Sequence, residues 1–159
     1  MEKLAIFGGT PVRDTPIFYG RQCIEQDDID AVVETLKSSL ITCGPKVEAL
    51  EAKLCQVTGA KYAVVVANGT AALHLAALAA GFGEGDEVIV SSITFAASAN
   101  CVLYCGARPV FADIKPDTYN IDPESVERLI TPRTKGIVAV DFTGQAVEHD
   151  VLGEICQKR

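Results

Sequence analysis

The sequence has no cluster of basic residues, and this absence limits the class of partner. It carries 14 Lys and Arg against 21 Asp and Glu, a formal net charge of −7. Because nucleic-acid backbones are bound by clustered Lys and Arg, we expect no nucleic-acid partner. A composition of 48% hydrophobic and 22% charged residues predicts a globular chain, and 159 residues suffice for one domain with a buried core.

Long hydrophobic runs are also missing. The apolar stretch at residues 69–83 carries no charged side chain, and it is shorter than the roughly 20 residues of a membrane-spanning helix. The apolar stretch at the N-terminus is too short for a signal peptide. We therefore expect a cytoplasmic protein with no membrane partner.

Metal-binding and glycine-rich signatures are absent as well. The six cysteines include no CxxC pair and have no metal-like spacing to His74 or His149, so we expect reduced thiols and no metal site. Neither GxxxxGK[ST] nor GxGxxG follows the first predicted strand, which argues against ATP and NAD as ligands. His74 stands in an apolar helical stretch, which favours a half-buried helix residue over a catalyst.

What the chain does contain is an alternation of strand and helix patterns after an irregular N-terminal segment. Apolar strands without polar alternation are typical of a parallel sheet that is covered on both faces. Two helices precede this alternation; Val47, Leu50 and Leu54 are the expected buried face of the second, and Gly59 is its stop. The predicted helices are 25–40, 43–60, 70–81, 95–106, 122–130 and 149–159. The predicted strands are 61–67, 107–114 and 135–140, together with a turn plus strand over 83–92.

Functional groups in such sheets gather at the carboxyl ends of the strands. The first predicted strand passes directly into a helix through Asn68-Gly69-Thr70, which brings unpaired helix amides and a hydroxyl to that edge, where proteins bind phosphate. The same residues also suit a plain turn with an N-cap. Two other patches, 91–95 and 141–145, follow later strands.

Three side chains near these strand ends leave alternatives open. Phe95 could present its ring to a flat cofactor, although an aromatic residue there is more often part of the core. Asp113 and Asp141 each follow an apolar strand and could be ligands or turn residues.

Several motifs occur in a fixed order, among them SSLITCGPKVEALEAKL, NGTAALHLAALAAG, NIDPESVERLI and DFTGQAVEHDVL. This series, from about Tyr19 to Arg159, resembles the DegT/DnrJ/EryC1/StrS family of sugar aminotransferases. Within the family, the stretch VDFTGQAVEHD and the segment around Tyr19 are most similar to nucleotide-sugar C4 aminotransferases of pseudaminic acid and spore-coat polysaccharide biosynthesis.

The resemblance implies a fold, a cofactor and a set of binding residues. The fold is the α/β large domain of a fold-type-I enzyme, with a mostly parallel sheet and helices on both faces, and the cofactor is pyridoxal 5'-phosphate. Gly69 and Thr70 match the turn that binds the cofactor phosphate, and Phe95 matches the aromatic residue that stacks on its ring. The implied nucleotide-sugar contacts are Tyr19, Ser39, Leu40, Ile41 and Thr42.

The implied reaction moves an amino group, with glutamate as donor, to the C4 ketone of a UDP-linked 4-keto-6-deoxyhexosamine, and the complete enzyme is expected to be a homodimer. An aminotransferase also needs a lysine bonded to the cofactor and an acid at the pyridine nitrogen. The family supplies both in an E-D-A-A-H-like motif and an S-F-x-x-x-K motif, and neither occurs in this sequence. We therefore expect residues 1–25 to form an arm and 26–159 to form an incomplete cofactor-binding domain without its C-terminal remainder, inactive by itself.

Three alternatives remain. Some relatives carry His in place of the lysine and act as sugar dehydratases. The chain could also be an inert remnant, or a binding or regulatory module without catalysis. A Rossmann-like phosphate-binding enzyme is the fourth choice, since the glycine fingerprint is missing.

Overall fold

The structure, a computed structural model, describes residues 3–158. Met1 and Glu2 of the predicted arm and Arg159 of the last predicted helix lie outside the described residues. The chain divides into two compact units, residues 1–63 and 64–159. Among the described residues, no helix combines the length and the apolar character needed to cross a membrane.

The regular elements follow the predicted order, with one exception. The helices are α1 (Gln26–Lys37), α2 (Pro45–Thr58), α3 (Gly69–Ala79), α4 (Ala97–Tyr104), α5 (Pro123–Leu129) and α6 (His149–Gln157), and the strands are β1 (Glu87–Ser91), β2 (Arg108–Ala112) and β3 (Thr134–Val138). The exception is the predicted strand 61–67, which is wrong, since it joins no ladder among the described residues. An apolar run predicts burial, but it becomes a strand only where a neighbouring strand supplies hydrogen bonds, and Val64 is 76% exposed.

The first unit contains α1 and α2 after a segment with little regular structure. Glu25 and Asp28 form a reciprocal capping box at the start of α1. Pro45 begins α2, and Gly59 ends it with a φ of 74°, as the sequence predicts.

The apolar stripes of these two helices are not buried. Neither α1 nor α2 contains a buried residue. The expected buried face of α2 is therefore wrong, because Leu50 and Leu54 are 48% and 39% exposed and Val47 is only half-buried. A helical stripe is buried only when a second surface covers it, which its own sequence cannot supply.

The second unit is built on a parallel sheet with the order β2-β1-β3. All five residues of the central strand β1 are buried. Val88 and Val90 pack in one cluster with residues of α3 and α4, and Ile89 packs in the other with residues of α5 and α6. The predicted parallel α/β sheet with helices on both faces is thereby confirmed.

The buried carboxylate of Glu87 ties the three strands together at their amino ends. Glu87 begins β1 and is 2% exposed. Its Oε1 accepts hydrogen bonds from Arg108 at the start of β2 (2.5 Å) and from Arg133 just before β3 (2.5 and 2.9 Å). Its Oε2 accepts one from Thr131 Oγ1 at 2.7 Å. Such a charge stays buried only because these donors replace its water shell.

This cluster predicts a pH-dependent stability. Hydrogen bonds from Arg108, Thr131 and Arg133 lower the pKa of Glu87 from 4.5 to about 2. A carboxyl whose pKa is lower in the folded state stabilises fully above its unfolded pKa and loses this effect as the pH falls through its folded pKa. We expect the free energy of unfolding, measured with urea, to fall between pH 4.5 and about 2.

Glu87→Gln should be less stable than the unmodified chain at pH 7, and its stability should change less across that acidic window. The matched control is Glu127→Gln, whose side chain lies on the exposed surface of α5, and it should retain the pH dependence of the unmodified chain. Equal slopes for Glu87→Gln and the unmodified chain would contradict the assignment.

Candidate functional site

The turn after β1 presents the side chain of Phe95 to the surface. The Ser91 hydroxyl donates to the Ile93 carbonyl oxygen at 3.2 Å, and the Thr94 hydroxyl donates to the Ser98 hydroxyl at 2.7 Å. These bonds order the turn between β1 and α4. Phe95 is 78% exposed, so it is not the core residue that the pattern alone favours.

The start of α3 presents unpaired backbone amides. Asn68 is the N-cap, and its Oδ1 accepts a hydrogen bond from the Ala71 amide at 2.9 Å. Within residues 3–158, no hydrogen bond uses the amides of Gly69 or Thr70 as donors. A Cβ at Gly69 would meet no atom within 4 Å, which leaves the backbone open to a ligand. Free amides at a helix start, together with the helix dipole, favour an anion.

The two features meet in one cavity of about 630 Å³. Leu73, one of its lining residues, also packs against the cluster that contains Val88 and Val90, so the cavity lies on the face of the sheet covered by α3 and α4. The full lining is Gly69, Thr70, Ala72, Leu73, Ala76, Phe95 and Ala97. The structure thus brings together all three residues predicted to bind the cofactor.

On the other face of the sheet, the loops that follow β2 and β3 are joined by Asn120, a residue that sequence reasoning missed. Its Nδ2 donates to the carbonyl oxygens of Gln145 and Ala146 at 3.0 and 3.1 Å, and its Oδ1 accepts from the Phe142 amide at 3.0 Å. Asn120 is 4% exposed. The one sequence signal that could have indicated Asn120 is its position two residues before Asp122, the N-cap of α5.

These two loops come from strands on opposite sides of β1. Ile121 and Val147, which flank the Asn120 contacts, pack in the same cluster as Ile89 of β1. The joined loops therefore lie across the carboxyl end of the central strand, on the face covered by α5 and α6. We call this feature the loop bridge, formed by residues 113–122 and 139–147.

Asp113 and Asp141, for which the sequence leaves ligand and turn roles open, accept hydrogen bonds within their own loops. The Asp113 carboxylate accepts from the Ile114 amide at 2.8 Å, and the Asp141 carboxylate accepts from the Val147 amide at 2.9 Å. Asp141 also lies 3.4 Å from Nε2 of His149. Both carboxylates hold their own loops in shape, which accounts for their positions after strands.

The residues implied for the nucleotide sugar belong to the first unit. Residues 39–42 lie between α1 and α2, with Leu40 and Ile41 exposed at 54% and 60%. Tyr19 stands in the irregular N-terminal segment with a fully exposed side chain. His74 is a half-buried residue of α3 whose ring contacts that of Tyr104, as expected of a helix residue.

The residues around the cavity fit a cofactor with a phosphate and a flat ring. The free amides of Gly69 and Thr70 and the Thr70 hydroxyl are suitable donors for phosphate oxygens. Phe95 offers an exposed aromatic face beside them. The donor set contains no group of like charge that would repel a phosphate.

Comparisons of the sequence and of the structure with known proteins point to the same family. Residues 22–159 match the model of the DegT/DnrJ/EryC1/StrS aminotransferase family. The spore coat polysaccharide biosynthesis protein SpsC of Bacillus subtilis is 46% identical over 139 residues, covering 87% of this chain and 36% of SpsC. The chain thus spans little more than a third of that relative's length.

Solved structures agree with the sequence match. The putative sugar aminotransferase Spr1654 from Streptococcus pneumoniae, in its PMP form, has a TM-score of 0.85 at 37% identity, covering 91% of this chain and 36% of that one. Helicobacter pylori PseC, an aminotransferase involved in pseudaminic acid biosynthesis, has a TM-score of 0.81 at 38% identity, covering 89% and 38%. Spr1654 is also known in a PLP form, and the aminotransferases of this family depend on pyridoxal phosphate. The family match covers most of the described residues, and this chain belongs to the DegT/DnrJ/EryC1/StrS aminotransferase family.

Proposed function

We propose that this chain is the cofactor-binding part of a pyridoxal-phosphate-dependent sugar aminotransferase. The observation that carries the proposal is the cavity in which the free amides of Gly69 and Thr70 meet the exposed ring of Phe95. Membership of the aminotransferase family supports it.

Three residues of the cavity hold the cofactor in this proposal. The amides of Gly69 and Thr70 and the Thr70 hydroxyl bind the phosphate, and the dipole of α3 adds to this attraction. Phe95 packs against the pyridine ring and limits its tilt. Once bound, the cofactor supplies an electron sink and carries the amino group between donor and acceptor.

The substrate proposal is more specific than the family. We propose that the acceptor is the C4 ketone of a UDP-linked 4-keto-6-deoxyhexosamine, that glutamate is the donor, and that the complete enzyme is a cytoplasmic homodimer. The similarity to SpsC and PseC, whose names refer to polysaccharide and pseudaminic acid biosynthesis, supports a sugar acceptor. In this proposal Tyr19 and residues 39–42 contact the nucleotide sugar.

The same proposal assigns no catalytic base to these residues. None of the eight lysines stands in an S-F-x-x-x-K context, and no E-D-A-A-H-like acid occurs in the sequence. A transaminase must move a proton at the substrate carbon, and a lysine bonded to the cofactor does this. We therefore propose that these 159 residues bind cofactor but do not transaminate by themselves. A polypeptide that supplied His in place of that lysine would instead favour sugar dehydration.

The cofactor assignment can be tested by titration with pyridoxamine 5'-phosphate. This form carries an amine and so cannot condense with surface lysines, which keeps the signal specific to the site. Thr70→Val should weaken its affinity about tenfold, because a hydrogen bond to a charged group is lost. Phe95→Ala should have an effect of similar size, through lost ring contact.

Inorganic phosphate should compete with the cofactor for the unmodified chain. Leu103→Ala, a change on the exposed surface of α4, is the control and should leave affinity unchanged. Absence of binding by the unmodified chain, or equal affinity of the unmodified chain and both site variants, would overturn the assignment.

The absence of turnover can be tested separately. The chain, supplied with pyridoxal phosphate and glutamate, should produce no 2-oxoglutarate above the rate of free cofactor, because the residue that moves the proton is missing. Production above that rate would contradict the proposal, and replacing the eight lysines one at a time would then identify the responsible residue.

A further inference from the structure

The carboxyl end of β1 lies between two structures of different character. On the face covered by α3 and α4 is the cavity lined by Gly69, Thr70 and Phe95. On the face covered by α5 and α6 is the loop bridge held by Asn120. Ligands of open α/β sheets bind outside the carboxyl ends of the strands, so a ligand at the end of β1 has the cavity on one side and the loop bridge on the other.

The loop bridge has the properties of a preformed wall. The side-chain amide of Asn120 makes three hydrogen bonds with the backbone of the loop after β3, at Phe142, Gln145 and Ala146. This holds the loop in a conformation in which Thr143 has a φ of 55°, which is unfavourable for a residue other than glycine. Backbone in such a conformation persists only where the surroundings enforce it.

A second strained residue lies on the other half of the loop bridge. Tyr119 has a φ of 59°, and its ring is 6.3 Å from that of Phe142, centroid to centroid. Each loop of the loop bridge thus contains one strained residue, adjacent to a residue of the Asn120 contacts. The side chains of Thr143 and Gln145 are exposed at the carboxyl edge of the sheet.

We infer that Asn120 is a positioning residue, which holds the loop bridge as the second wall of the cofactor crevice opposite Phe95. This inference rests on the proposed function, because the ligand is the same cofactor. Asn120 is buried and acts through the loop that it holds, not by contact with the ligand. Loss of its side chain frees the loop after β3, so the crevice loses a wall that the cofactor otherwise finds already in place.

The test compares two variants, each of which shortens a polar side chain to alanine, at opposite ends of the sheet. Asn120→Ala removes the three hydrogen bonds of the loop bridge. Thr131→Ala removes a hydrogen bond to Glu87 at the amino ends of the strands, far along the sheet from the crevice. Both should lower the melting temperature, so the second controls for general loss of stability.

Affinity for pyridoxamine 5'-phosphate is measured well below both melting temperatures. Asn120→Ala should weaken it about tenfold, as expected when the support of a binding group is lost, whereas Thr131→Ala should bind like the unmodified chain. The circular dichroism of the bound cofactor should also change in Asn120→Ala, because its asymmetric surroundings are altered. If Asn120→Ala fails to fold, Asn120→Asp serves instead, since it keeps the shape and the acceptor but loses the two donated bonds, and it too should bind more weakly.

The outcomes separate the two proposals. If the unmodified chain binds the cofactor and the foldable Asn120 variant binds it equally well, the loop bridge is not a wall of the crevice and only this inference fails. An equal loss of affinity in Thr131→Ala also defeats it, because the effect then follows stability alone. If the unmodified chain does not bind, while remaining folded, the proposed function itself fails.

Discussion

The hydrogen bonds to the buried carboxylate of Glu87 set the starting points of all three strands. Arg108 and Arg133 donate to it from β2 and from the turn before β3. The amino ends of the three strands are therefore held at one carboxylate. Because the strands are parallel and each has five residues, this also fixes where their carboxyl ends lie. The charge is tolerated in the interior only while these donors are present.

The candidate site depends on that alignment although it lies at the opposite edge. The turn with Phe95 follows β1, and the loops joined by Asn120 follow β2 and β3. A shift of one strand by one residue would reverse which side chains face each helix layer and would separate the loops. Rigid strands thus position irregular loops, the arrangement in which binding residues are commonly found.

Local sequence signals were sufficient for the helices and for three of the strands. Asn68 and Asp122 are N-caps, Pro45 begins a helix and Gly59 ends one, and each acts within a few residues along the chain. The predicted strand 61–67 is wrong because an apolar pattern indicates burial but does not specify a neighbouring strand. Glu87 and Asn120 were missed because their partners lie far along the chain, up to 46 residues away for Glu87.

The sequence by itself determined the family and the order of the helices and of three strands, and it predicts a phosphate site at the Asn68-Gly69-Thr70 turn, because helix periodicity, caps and ordered motifs are short-range properties. Only the tertiary structure decided that Phe95 is exposed, that it shares a cavity with Gly69 and Thr70, and that Asn120 joins two loops across β1. Burial, cavity lining and contacts between loops depend on which distant segments meet in the sheet, and no single stretch of residues specifies that.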